Sequence, residues 1–266
     1  MMELPRLFTS EPSTDLQPDF RQWFGSDLGQ DLLQAEEQLL GRILPDLFGY
    51  HALQIGQVID RNLMAGSRIR HRCVVDVDLP SVEGLSPLRA APENLPFAKD
   101  SLDLVFIHHG LDAAARPHAL LREASRVLIP DGHLLILGFN PWSLWGLWHL
   151  FRRPWGAESP WLRRSLSPQR LADWLTLLDF EVVGLESACF TPPLTHANIR
   201  RRFGWLEKLG RRYWSQGGAA YALLARKRIS CITPIETRRR NRYPAPAPVL
   251  LTEARVRRWM MDMDKE

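Results

Sequence analysis

The chain has 266 residues, of which 45% are hydrophobic and 24% are charged. These values are typical of globular proteins, and the length allows one large α/β domain with extensions. No apolar run approaches the span of a bilayer, and the first residues lack the charged start and apolar middle of a secretory signal. The sequence therefore favours a cytoplasmic protein without a transmembrane segment.

The net charge of +4 and the pI of 9.2 first suggest a nucleic-acid partner. Most of this charge lies after residue 228, where eight Lys or Arg stand against five Asp or Glu. Residues 229–266 are rich in Pro and Arg, and we expect a disordered basic tail that contributes little to folding. The folded part is close to neutral, so the charge does not favour nucleic acid over a small-molecule or lipid-like partner, and an RNA-associated role for the tail is the alternative.

Three cysteines, Cys73, Cys189 and Cys231, are widely separated in the chain. They lack the paired spacing of zinc ligands and of a disulfide framework. We therefore expect no metal site and no structural disulfide.

The N-terminal part divides into two segments. Residues 1–19 contain Pro, Ser and Thr without periodicity and predict a flexible leader. Gln22–Leu47 has apolar residues at helical spacing and predicts a helix that caps the sheet. Packing is the simpler role for this helix, and gating of a substrate is the alternative. The folded domain is predicted to span residues 20–228.

The centre of the chain predicts a strand, a helix and a second strand. The apolar run Leu102–Ile107 indicates a buried parallel strand. An amphipathic helix follows, with Pro117 in its first turn, and ends before Pro130. A further apolar run covers His133–Phe139. The right-handed crossover rule makes the two strands parallel neighbours.

This region resembles a known family. The similarity lies in LPFAKDSLDLVFIHHGLD and LLREASRVLIPDGHLLILGFNP, which resemble the second half of the class I S-adenosylmethionine-dependent methyltransferase domain, type 11 group. Weaker signals extend it over Gly49–Lys227, and the chain is most similar to a proteobacterial set of small methyltransferase-like proteins with GFNPWSLWG after the fifth strand. The resemblance implies a Rossmann-like, seven-stranded, mainly parallel sheet. It also implies S-adenosylmethionine as cofactor and methyl transfer to an acceptor that it does not identify.

The resemblance also indicates where the cofactor binds. In the family, the first strand leads to an acidic residue and a glycine-rich turn that lets the backbone approach the ligand. Here Gln54 stands in the acidic position, Gly56 matches the first glycine, and Val58 and Asp60 replace later glycines. We expect the helix after this turn to be short or absent. The degenerate loop leaves two hypotheses open, an active methyltransferase and a non-catalytic binding or scaffold protein with weakened cofactor affinity.

Two further segments supply cofactor contacts in the family. Asp78 matches the acidic residue after the second strand that binds the ribose hydroxyls, with Asp76 as the alternative if the strand is offset. Glu93, Asn94 and Leu95 follow the third strand, where the family contacts adenine. An ordinary turn is the alternative for these three residues.

His108 and His109 end the fourth predicted strand, at the edge where ligands bind in α/β sheets. We assign His108 to the cofactor site, and one of the two could act as a general base. A structural role is the alternative. Because neighbouring strand residues point to opposite faces, we expect that only one ring faces the cleft and that the pair cannot share a metal ion.

A tryptophan-rich helix is predicted after the fifth strand. Asn140 is a suitable N-cap, and Pro141 suits the first helical position. Trp142, Trp145 and Trp148 recur at helical spacing, beside the place where the family binds its acceptor. We expect them to flank an aromatic or lipid-like acceptor or to make a transient membrane or partner contact. Packing against the N-terminal helix is the alternative.

Overall fold

The structure is a computed structural model that describes residues 17–56, 61–76, 82–152, 165–192, 210, 214 and 217–228. Side chains are described within these ranges except at 17–20 and 149–152. All described residues belong to one compact unit, Met1–Ser230. The predicted tail, 229–266, and most of the predicted leader lie outside the described residues, so the domain boundaries stay predictions.

Seven strands pair into one sheet, as the resemblance implies. The strands are β1 (His51–Ile55), β2 (His71–Asp76), β3 (Ser86–Arg89), β4 (Leu102–His108), β5 (Leu128–Phe139), β6 (Phe180–Ala188) and β7 (Ala220–Lys227). Their order is β3-β2-β1-β4-β5-β7-β6. In this sheet β7 runs antiparallel to both β5 and β6, and the pairings among β1 to β5 are parallel. The predicted Rossmann-like, mainly parallel architecture is therefore confirmed.

Helices cover both faces of the sheet. They are α1 (Gln17–Phe24), α2 (Asp27–Ile43), α3 (Gly110–Ala113), α4 (Pro117–Val127), α5 (Leu144–Arg152) and α6 (Pro168–Thr176). Strand β4 shows the division, because Leu104 and Phe106 pack with α2 whereas Val105 and Ile107 pack with α4 and α6. This alternation follows from the pleat of the strand. None of the described helices is long and apolar enough to cross a membrane.

The N-terminal cap is two helices rather than the single predicted helix. The Ser26 hydroxyl accepts a hydrogen bond from the Gly29 N–H at 3.2 Å and donates to the Trp23 carbonyl at 2.6 Å. Ser26 therefore ends α1 and caps α2. Helix α1 begins at Gln17, inside the segment predicted as a flexible leader.

Helix α5 also begins later than predicted. The Asn140 side chain accepts a hydrogen bond from the Trp142 N–H at 3.1 Å and so closes a turn instead of capping the helix. The Ser143 hydroxyl accepts from the Gly146 N–H at 3.2 Å, which makes Ser143 the residue that caps α5. Two residues able to cap a helix lie close together here, and the sequence alone does not rank them.

Candidate cofactor site

The carboxyl ends of β1, β2 and β4 meet at one edge of the sheet. Strand pairing aligns Ile55 of β1 with Val75 of β2 and with Ile107 of β4. The next residues along these strands, Gly56, Asp76 and His108, therefore lie side by side. Ligands of open α/β sheets bind at such an edge.

Gly56 occupies a position that requires glycine. Its φ is +88°, and a Cβ added there would lie 2.8 Å from the His108 carbonyl oxygen. The chain can therefore leave β1 close to the end of β4 only without a side chain. Residues 57–60, which include Val58 and Asp60, lie outside the described residues. The chain forms turns over 61–70, in agreement with the expected loss of a helix there.

Replacing Gly56 with alanine should therefore destabilise the protein by about 1–3 kcal/mol, the usual cost of a strained backbone position. Gly41 is the matched control, since it lies exposed on α2 and a Cβ there would meet nothing within 4 Å. Gly41→Ala should raise stability by up to about 1 kcal/mol through helix propensity. Urea unfolding of both variants measures the difference. Equal effects would contradict the close approach of β1 and β4.

Gln54 is buried at the end of β1, where the family has an acidic residue. Its side-chain amide nitrogen donates a hydrogen bond to the Gly56 carbonyl at 3.0 Å. The amide thus supports the turn after β1, and it brings no negative charge to this edge.

The predicted ribose carboxylate can be assigned to two positions. Strand β2 ends at Asp76, which is buried, and Asp78 lies outside the described residues. A guanidinium nitrogen of Arg21, on α1, lies 3.4 Å from the Asp76 carboxylate. The end of β2 therefore carries a buried carboxylate that contacts the N-terminal cap.

The predicted adenine-binding segment forms a turn. The Asn94 N–H donates to the Ala91 carbonyl at 2.9 Å, and the Asn94 side chain is exposed. The Leu95 N–H donates to Glu123 at 2.9 Å, and its carbonyl accepts from Arg126 at 3.1 Å. Both backbone groups of Leu95 are thus already bonded to α4, whereas the half-buried Glu93 and the exposed Asn94 remain the predicted contacts.

His108 and His109 both contact one carboxylate, contrary to the expectation that they face opposite sides. His108 Nε2 lies 3.1 Å from Glu36 Oε2, and His109 Nε2 lies 2.8 Å from Glu36 Oε1. The reason is that His109 has φ of +50°, a left-handed conformation that breaks the alternation of the strand. Glu36 is buried on α2, so the cap helix reaches the ligand-binding edge.

Asp112 completes this buried polar cluster. Its carboxylate accepts from His109 Nδ1 at 3.2 Å and from the Phe139 N–H at 3.1 Å. Burial alone would lower the pKa of His109, but the charge of Glu36 and hydrogen bonds to both carboxylates outweigh it and raise the pKa to about 9. Burial would raise the pKa of Glu36, but the charge of His109 and hydrogen bonds from both rings lower it to about 2. Glu36 and His109 therefore form a buried ion pair at neutral pH.

His108 differs from His109 in its protonation. Burial lowers the pKa of His108 below its ordinary value, and the charge of His109 lowers it further. The hydrogen bond with Glu36 raises this pKa but does not outweigh the other two effects. The neutral ring donates its Nε2 proton to Glu36, which leaves a lone pair on Nδ1. No described residue forms a hydrogen bond with this buried Nδ1 atom. His108 therefore offers an acceptor at the edge of the sheet.

The donor atoms of Glu36, His108 and His109 lie within 4.8 Å of one another, a spacing that could hold a metal ion. The expectation that the two histidines point to opposite faces and so cannot share a metal ion was therefore wrong in its geometry. Direct hydrogen bonds of 2.8 and 3.1 Å already join the three groups. Glu36 thus has a donor for each oxygen without an ion.

The three tryptophans have different environments. Trp142 is 74% exposed and Trp148 is 38% exposed, whereas Trp145 is only 6% exposed. The Trp145 indole donates to the Thr191 carbonyl at 2.7 Å and contacts the Trp23 ring of α1 with centroids 5.9 Å apart. Trp145 therefore packs against the N-terminal cap, whereas Trp142 presents an exposed ring.

Sequence reasoning missed Glu36, Arg21 and Asp112. A signal for Glu36 was present, because Leu32, Leu33, Glu36, Leu39 and Leu40 share the buried face of α2. A carboxylate within an apolar stripe is rarely buried without a partner.

Comparison with known proteins agrees with this geometry. Residues 64–136 match a family described as a methyltransferase domain. An uncharacterized protein of Escherichia coli, YafS, is 36% identical over 175 residues, which cover 65% of this chain and 69% of YafS. The ubiquinone/menaquinone biosynthesis C-methyltransferase UbiE of Syntrophotalea carbinolica is 34% identical over 142 residues, 49% of this chain and 60% of that protein.

A crystal structure from Thermotoga maritima, described as an S-adenosylmethionine-dependent methyltransferase and possible histamine N-methyltransferase, shares the fold. Its TM-score is 0.55 at 18% identity, and the match covers 80% of this chain and 98% of that one. The chain therefore belongs to one family with YafS and contains a methyltransferase domain with the fold of the class I S-adenosylmethionine-dependent enzymes, which implies S-adenosylmethionine as its cofactor.

Proposed function

We propose that this chain transfers the methyl group of S-adenosylmethionine to a small organic or lipid-like acceptor bound beside Trp142. The observation that carries this proposal is the meeting, at one edge of the sheet, of Gly56, the buried Asp76 carboxylate and His108, whose Nδ1 bonds to no described residue. When bound, the cofactor supplies a reactive methyl group on a positively charged sulfur. The task of the chain is to bind and orient the two reactants and to exclude water.

The exposed Trp142 ring supports an acceptor with an aromatic or apolar surface. The relative UbiE is named for ubiquinone and menaquinone biosynthesis, which agrees with an acceptor of quinone type. A hydroquinone with a short prenyl chain is therefore the first probe for methyl transfer, followed by mass spectrometry of the product. A phenol without the chain is the control. A cytoplasmic location stays a prediction.

Cofactor binding is the first test, and we expect weak but measurable affinity for S-adenosylhomocysteine in calorimetry. Asp76→Ala should lower this affinity about ten- to a hundredfold, because a charge-assisted hydrogen bond contributes about 1.5–3 kcal/mol. Asp78→Ala should have this effect instead if the position predicted from the family is the ribose contact. Unchanged affinity in both variants would contradict a ribose contact from this segment.

A non-catalytic binding protein is the second candidate. The neutral Gln54 in place of the family's acidic residue favours it, since this change removes a charge from the cofactor site. Absence of any heat with millimolar S-adenosylmethionine would support this candidate and exclude the methyltransferase activity.

A further inference from the structure

The methionine part of the cofactor carries an ammonium group, and its positive charge needs a partner in a site closed to water. Gln54 supplies no charge, and its amide nitrogen is bonded to the Gly56 carbonyl. If the proposed cofactor binding holds, the place of the family's acidic residue is open to an acceptor from another part of the chain.

Glu36 is a fully buried carboxylate close to this position. It lies on α2 and accepts a hydrogen bond from His108 Nε2 at 3.1 Å. His108 directly follows the β4 residue that pairs with Ile55, and its carbonyl closely approaches Gly56. The carboxylate thus contacts the side chain of the residue whose backbone carbonyl lies against the turn after β1.

We propose that Glu36, acting through His108, replaces the family's acidic residue on β1 and holds the ammonium group of the cofactor. His108 Nδ1 is the contacting atom, since it is buried, accepts hydrogen bonds and has no partner among the described residues. Glu36 is the positioning residue, because its carboxylate keeps the proton on Nε2 and leaves Nδ1 as the acceptor.

The charges in the cluster are consistent with a cationic ligand. His109 is placed between Glu36 and Asp112, so that one imidazolium faces two carboxyl groups. The cluster therefore has no surplus positive charge that would repel an ammonium group. A carboxylate behind a neutral imidazole also makes the far ring nitrogen a stronger acceptor.

The test compares three ligands by calorimetry. S-adenosylhomocysteine carries the ammonium and the carboxylate, its decarboxylated analogue carries the ammonium alone, and 5′-methylthioadenosine carries neither. Glu36→Gln and His108→Leu should each lower the affinity for the first two ligands about ten- to a hundredfold. The affinity for 5′-methylthioadenosine should stay within about twofold, because the adenosine contacts are untouched.

Glu37→Gln is the matched control, since Glu37 is the next residue on α2 and pairs with Arg61 at the surface. It should leave all three affinities unchanged. An equal loss for all three ligands, or an unchanged affinity for S-adenosylhomocysteine, would overturn the inference. If the wild type binds none of the ligands, the proposed function itself fails. His108→Leu retains the contact between Glu36 and His109. If Glu36→Gln does not fold, the ligand affinities of His108→Leu therefore test the inference.

Discussion

Glu36→Gln is expected to lower the free energy of unfolding by about 3–5 kcal/mol, the usual cost of removing one partner of a buried ion pair. Glu36 is fully buried and contacts two rings at 2.8 and 3.1 Å. Glutamine has the same shape but no charge, so the imidazolium of His109 keeps only Asp112 as a counter-ion. A loss of this size would be a large part of the about 5–15 kcal/mol that stabilises a typical domain.

Glu37→Gln provides the comparison for this effect. Its carboxylate lies 3.3 Å from Arg61, and its side chain is 38% exposed. An exposed pair of this kind contributes about 0–1 kcal/mol. Urea unfolding of both variants at pH 7 should therefore separate them by several kcal/mol. Similar unfolding midpoints for the two variants would show that the Glu36 cluster contributes no more than a surface ion pair.

The cluster links the N-terminal cap to the ligand-binding edge. Glu36 belongs to α2, whereas His108 and His109 follow one another at the end of β4. Arg21 on α1 makes a second contact of this kind with Asp76 at the end of β2. The cap is therefore part of the candidate site, in addition to the packing role that its apolar periodicity indicates.

The centre of the sheet could be predicted from the residues because β4, α4 and β5 have local signals, whereas the number of strands followed from the resemblance to the family. The apolar run from Leu102 and the helix that begins at Pro117 are read directly from the residues, and the crossover rule then orders the strands. The strand, helix and strand of this centre depend on neighbours in the chain. Gly56 was placed by the resemblance to the family, and the structure supplies the reason, since a Cβ there would lie 2.8 Å from the His108 carbonyl oxygen.

The cluster around Glu36 could not be predicted in this way. His109 adopts a left-handed conformation that a histidine only rarely takes, and this conformation brings both rings to one side. The alternation rule holds inside β4 and fails at His109, the first residue after its end. Glu36 meets the rings across more than 70 positions of the chain, as the separations of 72 and 73 residues show. Such contacts arise from tertiary packing.

The second large effect concerns pH, and its sign follows from the two pKa values. The pKa of His109 rises from 6.5 to about 9, so its stabilising contribution is complete below pH 6.5 and is lost as the pH passes 9. The pKa of Glu36 falls from 4.5 to about 2, so its contribution is present above pH 4.5 and is lost as the pH approaches 2. The lowered pKa of His108 acts in the opposite sense below pH 6.5, because the unfolded chain then binds the proton first.

The alkaline side is therefore the clearer test of the ion pair. One pKa unit corresponds to about 1.4 kcal/mol, so the raised pKa of His109 predicts a loss of about 3 kcal/mol between pH 6.5 and 9.5. The shift of Glu36 describes the same pair and is not added. Burial raises the pKa of Tyr221 well above its ordinary value of 10, so Tyr221 adds to the loss only as the pH approaches 10, where it ionises in the unfolded chain. Urea unfolding at both pH values should show this loss in the wild type and in Glu37→Gln, and a much smaller loss in Glu36→Gln. An equal loss of unfolding free energy in all three proteins would mean that other groups cause the fall in stability at high pH. It would also mean that Glu36 does not hold His109 as an imidazolium.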